Sequence, residues 1–85
     1  MAAMSNDPQT LADLGVGQCA VLGRVTSARA IRIRLLEMGL VPGTEVTVTR
    51  RAPLGDPIEL SVRGYKLSIR KAEARSITLQ PEEAI

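Results

Sequence analysis

The chain has 85 residues and a net charge of +2, with 45% hydrophobic residues, no histidine and a single cysteine. This length makes one small domain, which buries only about two-thirds of the surface of its unfolded chain. Histidine is the commonest general base and metal ligand, and a lone cysteine cannot form an internal disulfide. The composition therefore argues against an enzyme and against a structural zinc site within one chain.

The ends of the chain are predicted to lie outside the folded domain. Residues 1–10 have neither a basic start nor an apolar run, so they are interpreted as a disordered leader and not as a signal peptide. The domain is predicted over 11–80, and 81–85 form a tail. No stretch approaches the roughly 20 apolar residues of a membrane span. These features predict a cytoplasmic protein without direct membrane insertion.

A first strand is predicted over 18–26, where apolar residues alternate. Cys19, Val21 and Val25 would share its inward face. Since cysteine in such a row behaves as a small hydrophobe, Cys19 is expected to be buried and to have no ligating role.

The next segment is predicted to be a helix with Ser27 as its N-cap. Spacings of three, four and three residues place four residues on one apolar stripe: Ala28, Ile31, Leu35 and Met38. Ile33 and Leu36 lie off this stripe. Arg29 and Arg32 stand beside them. Either the helix packs against the barrel on two sides or is covered by residues 11–16, or the off-stripe pair is the apolar centre of a partner surface with a basic rim.

Three later stretches alternate apolar and polar residues and are predicted to be strands: 44–51, 58–62 and 65–69. A two-residue turn would pair Val62 directly with Tyr65, so that both apolar rows face inward. The predicted core comprises Val46, Val48, Ile58, Leu60, Leu67, Ile69 and Ile77.

One helical turn is predicted over 71–74 and a last strand over 75–79. Five short strands with single-sided apolar faces are expected to curl into a small barrel. The fold class is therefore mostly β, with one helix inserted after the first strand and a short helical turn before the last.

Three blocks carry the most specific information. The block 34–44 (RLLEMGLVPGT) ends a helix at a glycine and then turns at Pro-Gly. It is followed by 52–60 (APLGDPIEL) and 62–71 (VRGYKLSIRK). The positions that define the blocks are Arg34, Gly39, Pro42, Gly43, Pro53, Gly55, Pro57 and Gly64. In this order, over about 11–79, the blocks resemble the FeoA family, small cytoplasmic proteins of bacterial ferrous iron uptake.

The resemblance implies an SH3-like barrel and a non-enzymatic accessory role. It also implies a partner, the cytoplasmic GTP-binding part of the membrane iron transporter FeoB. The alternative is a basic module that binds nucleic acid or joins a metal-responsive transcriptional regulator. Small barrels that bind single strands stack bases on aromatic residues. Because Tyr65 is the chain's only aromatic residue and is predicted to face inward, nucleic acid is disfavoured.

The basic residues are concentrated in the body of the chain. All eleven lie between Arg24 and Arg75, a span with five acids, and the other four acids lie outside it. This distribution favours an acidic partner surface, although a merely solvated surface is the other interpretation. One outward row is Arg63, Lys66, Arg70 and Lys71.

The loop 53–57 contains two prolines and a glycine, and Leu54 at its tip has no obvious cover. It is either a simple turn or a stiff contact element. The predicted partner-binding residues are Arg29, Arg32, Ile33, Leu36 and Leu54.

No cofactor and no metal site are predicted in the monomer. Ferrous sites favour histidine and carboxylate ligands, and no two acids of the body stand four residues apart. A divalent ion held between two molecules and a weak homo-oligomer stay open.

Overall fold

The computed structural model describes residues 9–80, which form five antiparallel strands, one main helix and two short helical turns. The mostly β class is confirmed, as are the helix after the first strand and the helical turn before the last. In chain order the elements are a 3-10 turn (Leu11–Asp13), β1 (Cys19–Val25), α1 (Arg29–Glu37), β2 (Glu45–Arg51), β3 (Ile58–Val62), β4 (Tyr65–Ile69), α2 (Lys71–Ala74) and β5 (Ile77–Leu79).

The five strands form a sheet in the order β4-β3-β2-β1-β5. Each neighbouring pair is antiparallel. Among residues 9–80, β4 and β5 do not pair with each other, so the sheet is not closed and these strands are its edges. The helix α1 lies in the connection between β1 and β2.

The β3–β4 hairpin has the predicted register. Val62 pairs with Tyr65, and the pairing continues to Ile58 opposite Ile69. The two turn residues, Arg63 and Gly64, have φ values of 50° and 89°. Positive φ at both positions is the geometry of the tight hairpin turn that matches strand twist.

The core is aliphatic, as predicted. Val46 and Val48 of β2 face it together with Leu60 of β3, all fully or almost fully buried. Leu67 is only partly buried but packs against the core. Several core residues were not in the predicted set: Leu11, Leu14, Leu22, Leu35, Leu40 and Ala74.

The predicted inward face of β1 is wrong for Cys19, which is exposed. Leu22 and Val25 are the buried residues of this strand, and the register to β5 shifts between them. Such a bulge changes the phase of the alternation. Ala20 and Leu22 face the core before the bulge, and Val25 faces it after the bulge. Extending the phase of Val25 back to Cys19 therefore gives the wrong face.

The helix α1 differs from its predicted pattern in two ways. Its N-cap is Ala28, without a side-chain cap, and the Ser27 hydroxyl is buried without a hydrogen-bond partner within residues 9–80. Leu35 is fully buried, whereas Ile31 is exposed. The stripe is thus occupied only toward the carboxyl end of the helix, where Met38 also packs on the core.

A Schellman motif ends the helix. The N–H of Leu40 donates to the Leu35 carbonyl at 3.1 Å, and the N–H of Gly39 donates to the Leu36 carbonyl at 3.0 Å. Gly39 has a φ of 97°, as this motif requires. Leu35 and Leu40 are both fully buried, so the motif fixes the helix end to the core.

The first described residues belong to the fold. Thr10 forms a β-bridge with Thr78 of β5, although 1–10 was assigned to the leader. The Arg51 guanidinium donates to the carbonyls of Ala12 and Leu14, each at 2.6 Å, and so holds the 3-10 turn against β2. The remainder of the predicted leader and the predicted tail lie outside the described residues.

We expect Leu60→Ala to lower the free energy of unfolding by about 2–5 kcal/mol, because it leaves a cavity in an aliphatic core. Urea unfolding followed by circular dichroism measures the change. Leu54→Ala is the matched control, since Leu54 is 93% exposed and its truncation leaves no cavity. A loss at position 60 no larger than at position 54 would contradict the assigned core.

The pKa of Asp13 provides a test of the 3-10 turn. The backbone N–H groups of Thr10 and then Gln9 donate to this carboxylate, each at 3.0 Å, and hold its pKa below the usual 3.8. A depressed folded pKa gives stability that is present above the unfolded pKa and is lost as the pH falls through the folded one. The parent should therefore be more stable than Asp13→Asn at about pH 6, and this advantage should shrink toward about pH 2.5. Glu45→Gln, which removes an exposed carboxylate, is the control; an advantage independent of pH would contradict the assignment.

Candidate partner-binding surface

The short helix α2 links α1 to the loop between β2 and β3. The Arg34 guanidinium of α1 forms an ion pair with the Glu73 carboxylate, and Glu73 also accepts the Arg70 N–H at 2.9 Å. At the start of α2, the Lys71 N–H donates to Asp56 of the loop at 3.0 Å. A helix and a loop far apart in sequence are thus fixed to the same short element.

Position 34 therefore has a structural role. Because Arg34 is largely exposed, the pair contributes little to stability, but it joins α1 to α2. Glu73 is the less exposed partner, and its second oxygen is already used to cap α2. Substitution of Arg34 would remove this contact between α1 and α2 as well as a charge from the surface of the helix.

The loop 52–57 is closed by its own backbone. The Gly55 N–H donates to the Ala52 carbonyl at 2.7 Å, and the Ala52 N–H donates to the Pro57 carbonyl at 3.1 Å. Gly55 has a φ of 87°, which favours glycine. Leu54 is 93% exposed at the tip, so it does not pack against the described fold.

The predicted partner-binding residues divide into two groups. Arg29, Arg32 and Ile33 are exposed on α1, with 41% of Ile33 accessible. Leu36, in contrast, is partly buried and packs against the core. For Leu36 the interpretation as a packing residue is therefore favoured. Of the predicted apolar contacts, Ile33 and Leu54 are the two that are exposed to a partner.

Tyr65 was predicted to face inward, and this is wrong, because its side chain is 45% exposed. Its pairing with Val62 is correct, yet β4 is an edge strand and no further strand covers its outer side. The hydroxyl donates to the Met38 carbonyl at the end of α1. A Cβ on Gly39 would collide with this hydroxyl. The ring therefore links the hairpin to the end of the helix, a contact that the sequence pattern did not indicate.

The exposed cations of α1 are available for a partner. Within residues 9–80, the recorded ion pair is that of Arg34 with Glu73, and no acid lies at salt-bridge distance from Arg29 or Arg32. The surface thus combines two unpaired guanidinium groups with exposed apolar side chains on rigid elements. Such a combination is suited to attracting an acidic protein surface and holding it by desolvation.

The described residues offer little for metal coordination. In the range 9–80, no three Cys, His, Asp or Glu residues are grouped so that they could hold an ion. No helix in this range has the length and apolar character needed to cross a membrane.

The fold is a small, mostly β domain built on an SH3-like sheet that is not closed within residues 9–80. The chain belongs to the FeoA family, since the model of the FeoA domain matches residues 9–81. The predicted family membership is thus confirmed.

Three relatives illustrate the relationship. The chain is 39% identical over 70 residues to the Fe(2+) transport protein A/Fe(2+) transporter FeoB fusion protein of Porphyromonas gingivalis; this match spans 82% of the chain but only 8% of the fusion protein. The FeoA protein of Chlorobium tepidum has a TM-score of 0.77 and 43% identity, covering 82% of this chain and 67% of that one. FeoA of Stenotrophomonas maltophilia, a zinc complex described as an SH3 domain protein, has a TM-score of 0.75 and 31% identity, covering 86% and 91% of the two chains.

Anaerobic titration with ferrous iron, followed by calorimetry, should show no stoichiometric binding tighter than millimolar, because the chain has no histidine and its acids in the range 9–80 are not grouped around a common point. Cys19→Ser is the companion variant, since Cys19 is the exposed thiol of β1. One tight site per chain would contradict this prediction. Its loss in Cys19→Ser would then place the metal at this thiol.

Proposed function

We propose that this chain is a non-enzymatic accessory protein of bacterial ferrous iron uptake that binds the cytoplasmic GTP-binding part of a FeoB transporter. The observation that carries the proposal is the fusion in Porphyromonas gingivalis, where one chain contains both proteins. Fusion holds two modules at a high effective concentration. We infer the same association for this chain through a contact surface of the FeoA domain itself, and a cytoplasmic location is part of the proposal.

The proposed contact surface consists of α1 and the 52–57 loop. Arg29 and Arg32 supply the basic rim, and Ile33 and Leu54 supply the apolar contacts. Two features support this choice. The exposed Leu54 is held on a closed loop. The loop contacts α2 through Asp56, and α2 contacts α1 through the ion pair of Glu73 with Arg34. Because both parts are rigid, little ordering entropy is lost on binding.

The proposal predicts different kinetic effects for charge and for apolar contact. Arg32→Glu should slow association with the soluble GTP-binding domain of FeoB by about tenfold at low salt and weaken its salt dependence, because it reverses a steering charge. Leu54→Ala should mainly speed dissociation, by about tenfold, because it removes a desolvated contact. Surface plasmon resonance at several salt concentrations separates the two effects.

Two controls match these substitutions in chemistry but not in position. Arg24→Glu reverses an exposed charge on β1, and Val16→Ala truncates an exposed apolar residue near the 3-10 turn. Both should bind like the parent. Parent-like binding by Arg32→Glu and Leu54→Ala would exclude the surface, whereas the absence of any complex with the parent chain would exclude the partner.

A further inference from the structure

The outer edge of β4 has backbone groups that no other strand uses. In a two-residue hairpin, the residues that flank the turn form a hydrogen-bonded pair, here Val62 and Tyr65. Hydrogen-bonded and non-hydrogen-bonded pairs alternate along an antiparallel ladder. Lys66 and Ser68 therefore occupy non-hydrogen-bonded positions, and their N–H and C=O groups point away from β3.

These four groups have no hydrogen-bond partner recorded within residues 9–80. The opposite edge of the sheet is different, because Thr10 bridges to Thr78 and the Leu79 N–H donates to the Gln9 carbonyl. The fold thus covers the edge of β5 with its own chain, whereas the described residues leave the edge of β4 open. An open edge can pair with an added strand.

Grooves lie beside this edge. One, of about 380 Å³, is lined by Arg34, Pro57, Ser68, Ile69, Arg70 and Glu73. A second, of about 220 Å³, is also lined by Pro57 and Ser68 and includes Pro53 and Glu59. Strand addition uses main-chain hydrogen bonds for affinity and such neighbouring depressions for alternate side chains.

The charges select the occupant. Arg63 and Lys66 of the hairpin and Arg70, directly after β4, are exposed. No acid lies at salt-bridge distance from them within residues 9–80. If the β4 edges of two copies of this chain paired, the cations of one copy would lie close to the same cations of the other and repel them. An extended segment with carboxylates would neutralise them.

We propose that the free edge of β4 binds an acidic, extended peptide segment of a protein partner by strand addition, with backbone hydrogen bonds to Lys66 and Ser68. This inference does not depend on the identity of the partner proposed above. Nor does it use Arg32 or Leu54, so either proposal can fail alone.

The probe is a blocked octapeptide of alternating threonine and glutamate. Its control is the same peptide N-methylated at its four central residues, which keeps the charge but removes backbone donors on both of its edges. We expect the unmodified peptide to slow amide exchange at Lys66 and Ser68 by about tenfold or more, as judged by NMR. The methylated peptide should give no such protection and should bind at least about tenfold more weakly.

Two variants of the protein test the same backbone contact. Ser68→Pro removes an outward N–H at an edge position where proline is tolerated, and should weaken binding by about tenfold. Ser68→Ala keeps the N–H and should bind within about twofold of the parent. If Ser68→Pro fails to fold, the two peptides measured on the parent chain still decide the question.

Several outcomes would overturn the proposal. Equal binding of both peptides would mean that charge alone attracts them. Protection of Lys66 and Ser68 without peptide, rising with protein concentration in step with dimerisation, would assign the edge to a second copy. Tighter binding of a short single-stranded RNA at the same amides would assign it to nucleic acid.

Discussion

The left-handed turn at Gly39 is the constraint on which the arrangement of this small domain depends. It ends α1, reverses the chain and places Leu40 in the core beside Leu35. A side chain at position 39 is excluded twice, by the positive φ and by the hydroxyl of Tyr65. The block that begins at Arg34 is thus informative about the fold, because its residues fix the junction at which α1 ends and the chain enters the core.

That junction determines what the helix can expose. With its carboxyl end held by the Schellman motif and by Tyr65, α1 buries Leu35 and leaves Ile33 at the surface. Arg34 then faces α2, where Glu73 pairs with it. A helix of nine residues would be marginal alone, so its tertiary contacts stabilise it and orient its exposed cations in the same step.

The sequence was most informative where the strands are regular. Val46 and Val48 alternate with polar residues ahead of the register shift between β2 and β3, as do Ile58 and Leu60 in β3, and all four were assigned correctly to the core. The failures lie where a local rule is interrupted: the bulge in β1 exposes Cys19, and the edge position of β4 exposes Tyr65. Neither a bulge nor the order of strands in a sheet can be read from alternation alone.

The candidate surface was less predictable than the core, for a related reason. The exposure of Leu54 follows from a stiff loop without local neighbours, which sequence shows. The packing of Leu36 and the pairing of Arg34 with Glu73 depend instead on residues distant in the chain. Helical spacing identifies which residues share a face, but it does not identify which face meets the sheet.

The two edges of the sheet have different protection, and this difference bears on how the domain can associate. The edge of β5 is covered by residues that precede β1. The edge of β4 instead has exposed cations, and charge on an edge strand opposes pairing with identical chains. The same charges attract a chain of opposite sign. An edge protected by charge thus disfavours pairing with copies of itself and favours a segment of opposite sign, a selectivity that a covered edge does not provide.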